Sequence, residues 1–270
     1  MPSVNFTQTL KDEYQQLFDT ATIRADRQQE VDGYVRKLAG NRARYETVGS
    51  PLGVPWYLIA VIHHMECAQD FRLHLHNGDP LTAKTARVPA GRPKTGTPPF
   101  TWQQSATDAM QLKNLHQWLD WSLAGVLYRL EGYNGWGYRL YHAEVLSPYL
   151  WGYSNHYTSG KYVADGTWSD TAVSRQCGAA VLLRRMAEMG ILDLAQHNTS
   201  AVIERSLENS QPILRYSAGG KELPFGRALQ EFLNQFPGVY VKPDGKPGTR
   251  TSDAFKVVTG RYLHGDPRGS

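Results

Sequence analysis

Residues 62–71, IHHMECAQDF, place two histidines, a glutamate, a cysteine and an aspartate directly after the apolar run WYLIAVI. Three chemistries could use such a set. On a helix over 56–70, Ile59, Ile62, His63, Glu66 and Asp70 share one face at spacings of three and four. Glu66 then borders the apolar stripe of Leu58, Ile62 and Met65. A carboxyl against apolar neighbours loses hydration, so its charged form is disfavoured and its pKa rises. Such an acid donates a proton near neutral pH, which is what cleaving an acetal such as a glycosidic bond requires. A metal site would draw on His63, His64, His74 and His76, whose spacings suit ligands. No HExxH or its inverse is present, however, and satisfied or exposed histidines are the favoured reading, so neither a metal nor another cofactor is expected. Cys67 as a nucleophile would need surroundings that stabilise its thiolate. No GxSxG occurs, and the spaced glycines of EGYNGWGYR lack the following Lys-Ser/Thr of a phosphate loop.

The elements that must position these residues read as mainly α. Apolar residues recur at helical spacing through 4–48, with a bend expected at AGN, residues 39–41. GSPLGVP is a turn, and Pro55 is well placed to open the helix that carries Glu66. Residues 77–100 keep no period and are rich in Pro, Gly and Thr, which predicts a long loop or a loop with a short hairpin; long loops in compact domains are often functional lids. A leucine stripe predicts one helix over 105–131. An irregular stretch crowded with aromatics and amides follows at 147–168, then a helix over 169–189 with Ser169 as its N-cap. From about 200 the texture changes to two short helices around a turn-rich segment. We therefore expect one domain over 1–200 and a second over 205–268.

Bulk composition narrows the function classes. The chain has 270 residues, 41% of them apolar and 20% charged, so it can bury a sizeable core. Seven Trp and 15 Tyr are enough to fill a core and also to line a groove for sugar rings or bases. A net charge of +4 favours an anionic partner, but no block of Lys/Arg marks a nucleic-acid stripe, and no nucleic-acid partner is expected. Two cysteines, Cys67 and Cys177, are too few for a disulfide framework and read as buried free thiols. The first residues, MPSVNFTQTLKDEYQQ, do not read as a signal peptide, and the apolar runs are too short to cross a bilayer. The expectation is a monomer made in the cytoplasm that reaches an outside target by release or non-classical export.

The order of these elements resembles the lysozyme-like superfamily, in particular goose-type lysozymes and lytic transglycosylases. The resemblance covers roughly residues 50–190: an apolar helix ending in Glu66, then HNGDPL, a long loop, a helix, YNG and a final helix. It implies that Glu66 is the catalytic acid and that Tyr133 and Asn134, in GYNGWGYR, line a sugar groove. Cys67 stands where the family usually has Ser, and the usual GLMQ-type segment is missing. The tail, ALQEFLN…DGKPGTRTSDAF, resembles the small helical peptidoglycan-binding domain of cell-wall hydrolases, through Leu229, Gln230, Leu233, Asp244, Gly245, Gly248, Thr251 and Ala254. The apolar positions would be core, and Asp244, Gly245 and Gly248 would shape the turn.

Together the two resemblances imply a peptidoglycan-cleaving glycosidase acting on glycan strands, of the kind a phage endolysin uses. Glycoside hydrolysis adds a second carboxylate to the acid. Asp79, in the loop after the helix, is the first candidate by analogy with goose-type enzymes. Asp70, one helical turn on at about 5–6 Å, is closer than the roughly 6.5–9.5 Å an attacking water wants between the two carboxyls. Asp165, in YVADG, is the third. If none is positioned, the sugar's own hydroxyl attacks and an anhydro sugar results, as in lytic transglycosylases. Trp151, Tyr153, Asn155 and Tyr157 join Tyr133 and Asn134 as groove candidates by stacking and amide hydrogen bonding, and His63 is expected beside Glu66. A non-catalytic wall-binding or structural phage protein, and a metal-dependent wall amidase or peptidase, are the readings from other classes.

Overall fold

A helix that is apolar on every side must be buried on every side, and one such helix organises the larger part of the molecule. The structure, a computed structural model, describes residues 4–164, 166–194, 214–223 and 225–269. The chain divides into two compact units, residues 1–195 and 196–270. In the first, helix α4 (Trp56–Cys67) buries every residue except Glu66. Around it pack α2 (Gln28–Gly40), α3 (Arg42–Leu52), α6 (Leu123–Asn134) and α9 (Ala179–Glu188). Helix α1 (Gln8–Thr20) lies on α6, α5 (Trp102–Leu112) on α3, and the short α8 (Pro148–Trp151) on α6 and α9. One two-stranded antiparallel sheet is present among the described residues, β1 (Lys161–Ala164) with β2 (Thr167–Ser169), in the register Lys161 to Ser169 and Tyr162 to Trp168. The fold is mainly α, and no described helix is long and apolar enough to cross a membrane.

Three expected elements differ in extent. The helix over 56–70 stops at Cys67, because Ala68 and Gln69 take left-handed conformations (φ 49° and 63°) and their N–H groups close on His64 O and His63 O. Asp70 is therefore off the helix. The stretch 105–131 is two helices: α5 opens on a capping box between Thr101 and Gln104, and α6 on the Ser122 side chain, which accepts from Gly125 N. Asn114, left-handed at φ 53°, turns the chain between them. Ser169 belongs to β2, and α9 begins only after Gly178. Gly178 packs so closely on the Leu150 carbonyl that a Cβ there would lie 2.2 Å from the oxygen, and this contact locks α9 to α8.

A buried ionic triad joins α1, α6 and a short helix α7 (Gly137–Tyr141). Glu131 is 3% exposed, accepts from the Tyr14 hydroxyl and pairs with Arg139 Nη2 at 2.9 Å; Arg139 Nη1 reaches Glu13 at 2.9 Å. The residues 77–100 form an irregular but well-tied loop. Asp79 binds the backbone of residues 86–87, Thr85 exchanges backbone bonds with Gly91 and Arg92, and Arg92 pairs with Asp108 of α5 at 2.7 Å.

In the second unit, the helices Gly226–Leu233 and Thr249–Thr259 enclose Leu214, Leu229, Leu233, Val241, Ala254, Phe255 and Leu263. Buried Gln230 is the hub of the turn between them. Its amide N donates to Asp244 Oδ1 at 3.0 Å and to Thr251 Oγ1 at 3.1 Å, and its amide O accepts from Gly245 N at 2.8 Å. Gly248 caps the second helix. One polar side chain thus satisfies a turn that could not otherwise be buried.

Candidate active site

Glu66 is the last carboxyl-bearing residue on α4 and the one residue of that helix with appreciable surface. The helix end is fixed from three sides. Gln176 Nε2 donates to Met65 O at 2.6 Å, and Cys67 Sγ donates to His74 O at 3.2 Å. Gly78, left-handed at φ 74°, passes so near that a Cβ would lie 3.0 Å from the Glu66 carbonyl oxygen, so glycine meets both the backbone and the steric demand. The carboxyl of Glu66 accepts from the Tyr149 hydroxyl at 3.1 Å. Burial pushes its pKa up to about 7; the Tyr149 bond and the nearby Lys113 ammonium work in the opposite direction and are outweighed. Burial and the adjacent Glu66 carboxyl keep the Tyr149 hydroxyl far above its ordinary pKa, so it remains a donor.

Tyr149 opens onto a cleft of about 540 Å³ lined by tyrosines, amides and small residues. Its walls come from the end of α6 (Asn134), from α7 (Tyr138, Tyr141), from α8 (Pro148, Tyr149), from β1 (Lys161, Tyr162) and from Ser174 and Gln176. The size is that of a small-molecule or short-oligomer site. Aromatic packing makes the hairpin wall rigid: the Tyr138 ring lies 5.4 Å from Tyr162 and 5.6 Å from Trp168, and His142 stacks on Trp168 at 3.5 Å. Gln176 both borders the cleft and holds the Glu66 turn of α4, so the wall and the acid share a support.

The expected site residues divide sharply. Glu66 and Asn134 belong to this region, the first through its bond to a wall residue and the second as an exposed wall residue. Tyr133 is buried, with its hydroxyl donating to Leu75 O at 3.1 Å and its carbonyl accepting from Lys113 at 3.0 Å. The other groove candidates lie elsewhere in the structure. Trp151 is 1% exposed and is core. The Tyr153 hydroxyl donates to Arg175 O at 2.6 Å, and that of Tyr157 donates to Gly160 O at 3.1 Å. The Asn155 amide is bonded to the backbone of Thr20 and Thr22. These groups hold the chain together, and none lines the cleft. His63 also lies away from the cleft: it is fully buried against Phe71 and Trp102, with Nδ1 3.1 Å from the Tyr45 hydroxyl, and burial lowers its pKa to about 4.

Neither described carboxylate candidate lines the cleft. Asp70 chelates its neighbour, accepting from Arg72 N at 2.9 Å and Nη2 at 2.6 Å, bonds that hold its pKa down to about 2. For Asp79 burial works to raise the pKa, but bonds from the Arg87 backbone and guanidinium and from Ala86 N outweigh it and hold it at about 2. Asp79 organises the 77–87 loop. Asp165 lies outside the described residues. The remaining histidines are likewise structural: His64 meets Gln69 at 2.9 Å, His74 meets Ser105 at 2.9 Å and His76 pairs with Asp108 at 2.7 Å. Among the described residues no group of three or more His, Cys, Asp or Glu is arranged to hold a metal ion, and both thiols are buried and free.

Sequence reasoning missed Tyr149, Tyr138, Tyr141, Tyr162, Lys161 and Gln176. For Tyr149 a signal existed. Ser147-Pro148 starts a short helix, and on a helix Tyr149 and Trp151 face different ways. The bulkier indole takes the core. Comparison with protein-family models, with curated proteins and with solved structures gives no match to this chain.

The Tyr149 bond yields a direct expectation. Tyr149→Phe removes a donor to the carboxylate, so the Glu66 pKa should rise and any activity that needs its proton should persist to higher pH. The alkaline limb of a kcat/KM profile measures this; a limb that stays in place or moves down would separate Tyr149 from Glu66.

Proposed function

We propose that this protein is a peptidoglycan hydrolase that cleaves glycosidic bonds of the wall glycan, with Glu66 as general acid. The observation that carries the reading is a carboxyl with a pKa near 7, bonded to a tyrosine of a cleft rich in tyrosines and amides. A group of that pKa is still substantially protonated at neutral pH, and protonation of the leaving oxygen is the first requirement of glycoside cleavage. Tyrosine faces and amide groups suit the apolar faces and hydroxyl or N-acetyl groups of sugars. The second unit, with its Gln230-centred turn, is proposed to bind the wall, following the resemblance of its residues to peptidoglycan-binding domains. Such an enzyme acts as a monomer, needs no cofactor and meets its substrate after release from the cytoplasm, as an endolysin does.

A second outcome has specific support. Asp70 and Asp79 are both committed to arginines and backbone N–H groups. With no second carboxylate free among the described candidates, attack by the sugar's own hydroxyl, giving an anhydro sugar as in lytic transglycosylases, is the alternative outcome. Mass spectrometry of purified peptidoglycan after digestion separates the cases. Reducing sugar ends would indicate hydrolysis, and anhydro ends the intramolecular route. Release of peptides from uncut glycan, or binding without any fragments, would overturn the glycosidase reading.

A further inference from the structure

Lys161 is the only charged side chain among the described residues that line the cleft. It starts β1, where its backbone is held in register opposite Ser169. Other cations nearby are committed: Lys113 donates to Tyr133 O at 3.0 Å, and Arg139 is shared between Glu131 and Glu13. Lys161 has no carboxylate or other side-chain partner among the described residues. The tyrosines, Asn134, Ser174 and Gln176 would serve a neutral sugar chain as well as a charged one. Among the described residues the cleft offers this ammonium no counter-charge, which suits it to an anion.

Resting on the glycosidase reading above, we propose that Lys161 makes the cleft selective for a glycan bearing carboxylates over a neutral one such as chitin. In the wall polymer every second sugar carries a lactyl group, ending either in its own carboxylate or in a peptide that supplies one. Pairing of an ammonium with such a group is a charge-assisted hydrogen bond. On a strand it also sets register, because the anion recurs only on alternate sugars and the bond delivered to Glu66 is then always of one kind. Since the site is open to solvent, the selectivity weakens as salt rises.

The test compares kcat/KM on purified peptidoglycan strands with the same strands after carbodiimide conversion of their carboxylates to neutral methylamides. Wild-type protein should prefer the native strands about tenfold, the effect of one partly exposed charge-assisted bond. The preference should reside mainly in KM and shrink with added salt. Lys161→Gln should bring the ratio close to one, and Lys161→Arg should keep it. Strands stripped of peptide beforehand, whose lactyl carboxylates are then free, separate the sources: a preference that survives shows that the lactyl carboxylate suffices, and one that disappears assigns the peptide. A wild-type ratio near one, or a tenfold ratio that persists in Lys161→Gln, overturns the proposal while leaving glycan cleavage intact. Failure of wild-type protein to cut either strand removes the glycosidase reading and this proposal with it.

Discussion

Glu66→Gln is expected to lower the rate of wall-glycan cleavage by about 10³-fold, within the range that a general acid supplies, while making the folded protein more stable at neutral pH. Both effects have one cause. The carboxyl is moved from its ordinary 4.5 to about 7 by burial. Below about pH 4.5 it is protonated in the folded and unfolded chains alike and carries no penalty. As pH rises through 7 the unfolded chain has long since ionised, and the folded state bears a cost that reaches about 3 kcal/mol. The amide is nearly isosteric, accepts from Tyr149 equally well and never ionises. The gain of the variant over wild type should therefore be absent at pH 4 and grow up to about pH 8. Urea unfolding at several pH values measures it, alongside turbidity clearance of cell walls. Retention of more than about a tenth of the activity would exclude Glu66 as the acid; a stability gain that does not depend on pH would refute the raised pKa.

The second large effect concerns the triad of Glu13, Glu131 and Arg139. Arg139→Met should destabilise the first unit by roughly 3–5 kcal/mol, because it leaves the Glu131 carboxylate buried with only the Tyr14 hydroxyl against it. Arg139 lies on α7, between Tyr138 and Tyr141 of the cleft wall. Activity should thus fall at temperatures below those that unfold the protein. The paired change Arg139→Met with Glu131→Met, which removes both charges, should recover much of the stability, since a buried pair replaced by apolar groups of similar volume is often neutral. Denaturation midpoints of the wild type and the two variants decide the matter. A single variant costing under about 1 kcal/mol would mean that water reaches Glu131 when its partner is lost.

The place of Glu66 at the end of a buried helix was legible because one strong regularity singles it out: an apolar run followed at helical spacing by a carboxyl. The mainly helical character was legible from periodicity, and the free thiols from their number. What could not be read was which of many polar and aromatic side chains are spent internally. Asp79, Asp70 and Asn155 are ordinary polar residues in sequence, yet each is consumed by neighbouring N–H groups, and the backbone geometry that brings those donors together has no local code. Asp70 illustrates the point. A helix continued for one more turn would have set it near Glu66, but two left-handed residues, neither of them glycine, turn it toward Arg72. Among aromatics, the largest and most eye-catching, Trp151, filled the core, while Tyr138, Tyr141, Tyr149 and Tyr162 line the cleft.

The near-total burial of α4 has a consequence for how this molecule can change. Glu66 stands on a segment where almost any substitution alters core packing, so the proton donor of the proposed reaction would be held by the least adjustable part of the fold. The cleft walls that would choose the glycan come from a hairpin, two very short helices and a loop, where a side chain can be exchanged at little cost to the core. On the proposed function, reactivity and selectivity would be carried by separable pieces. Such a scaffold can be retuned toward a different polymer by altering the rim alone, with its chemistry left in place.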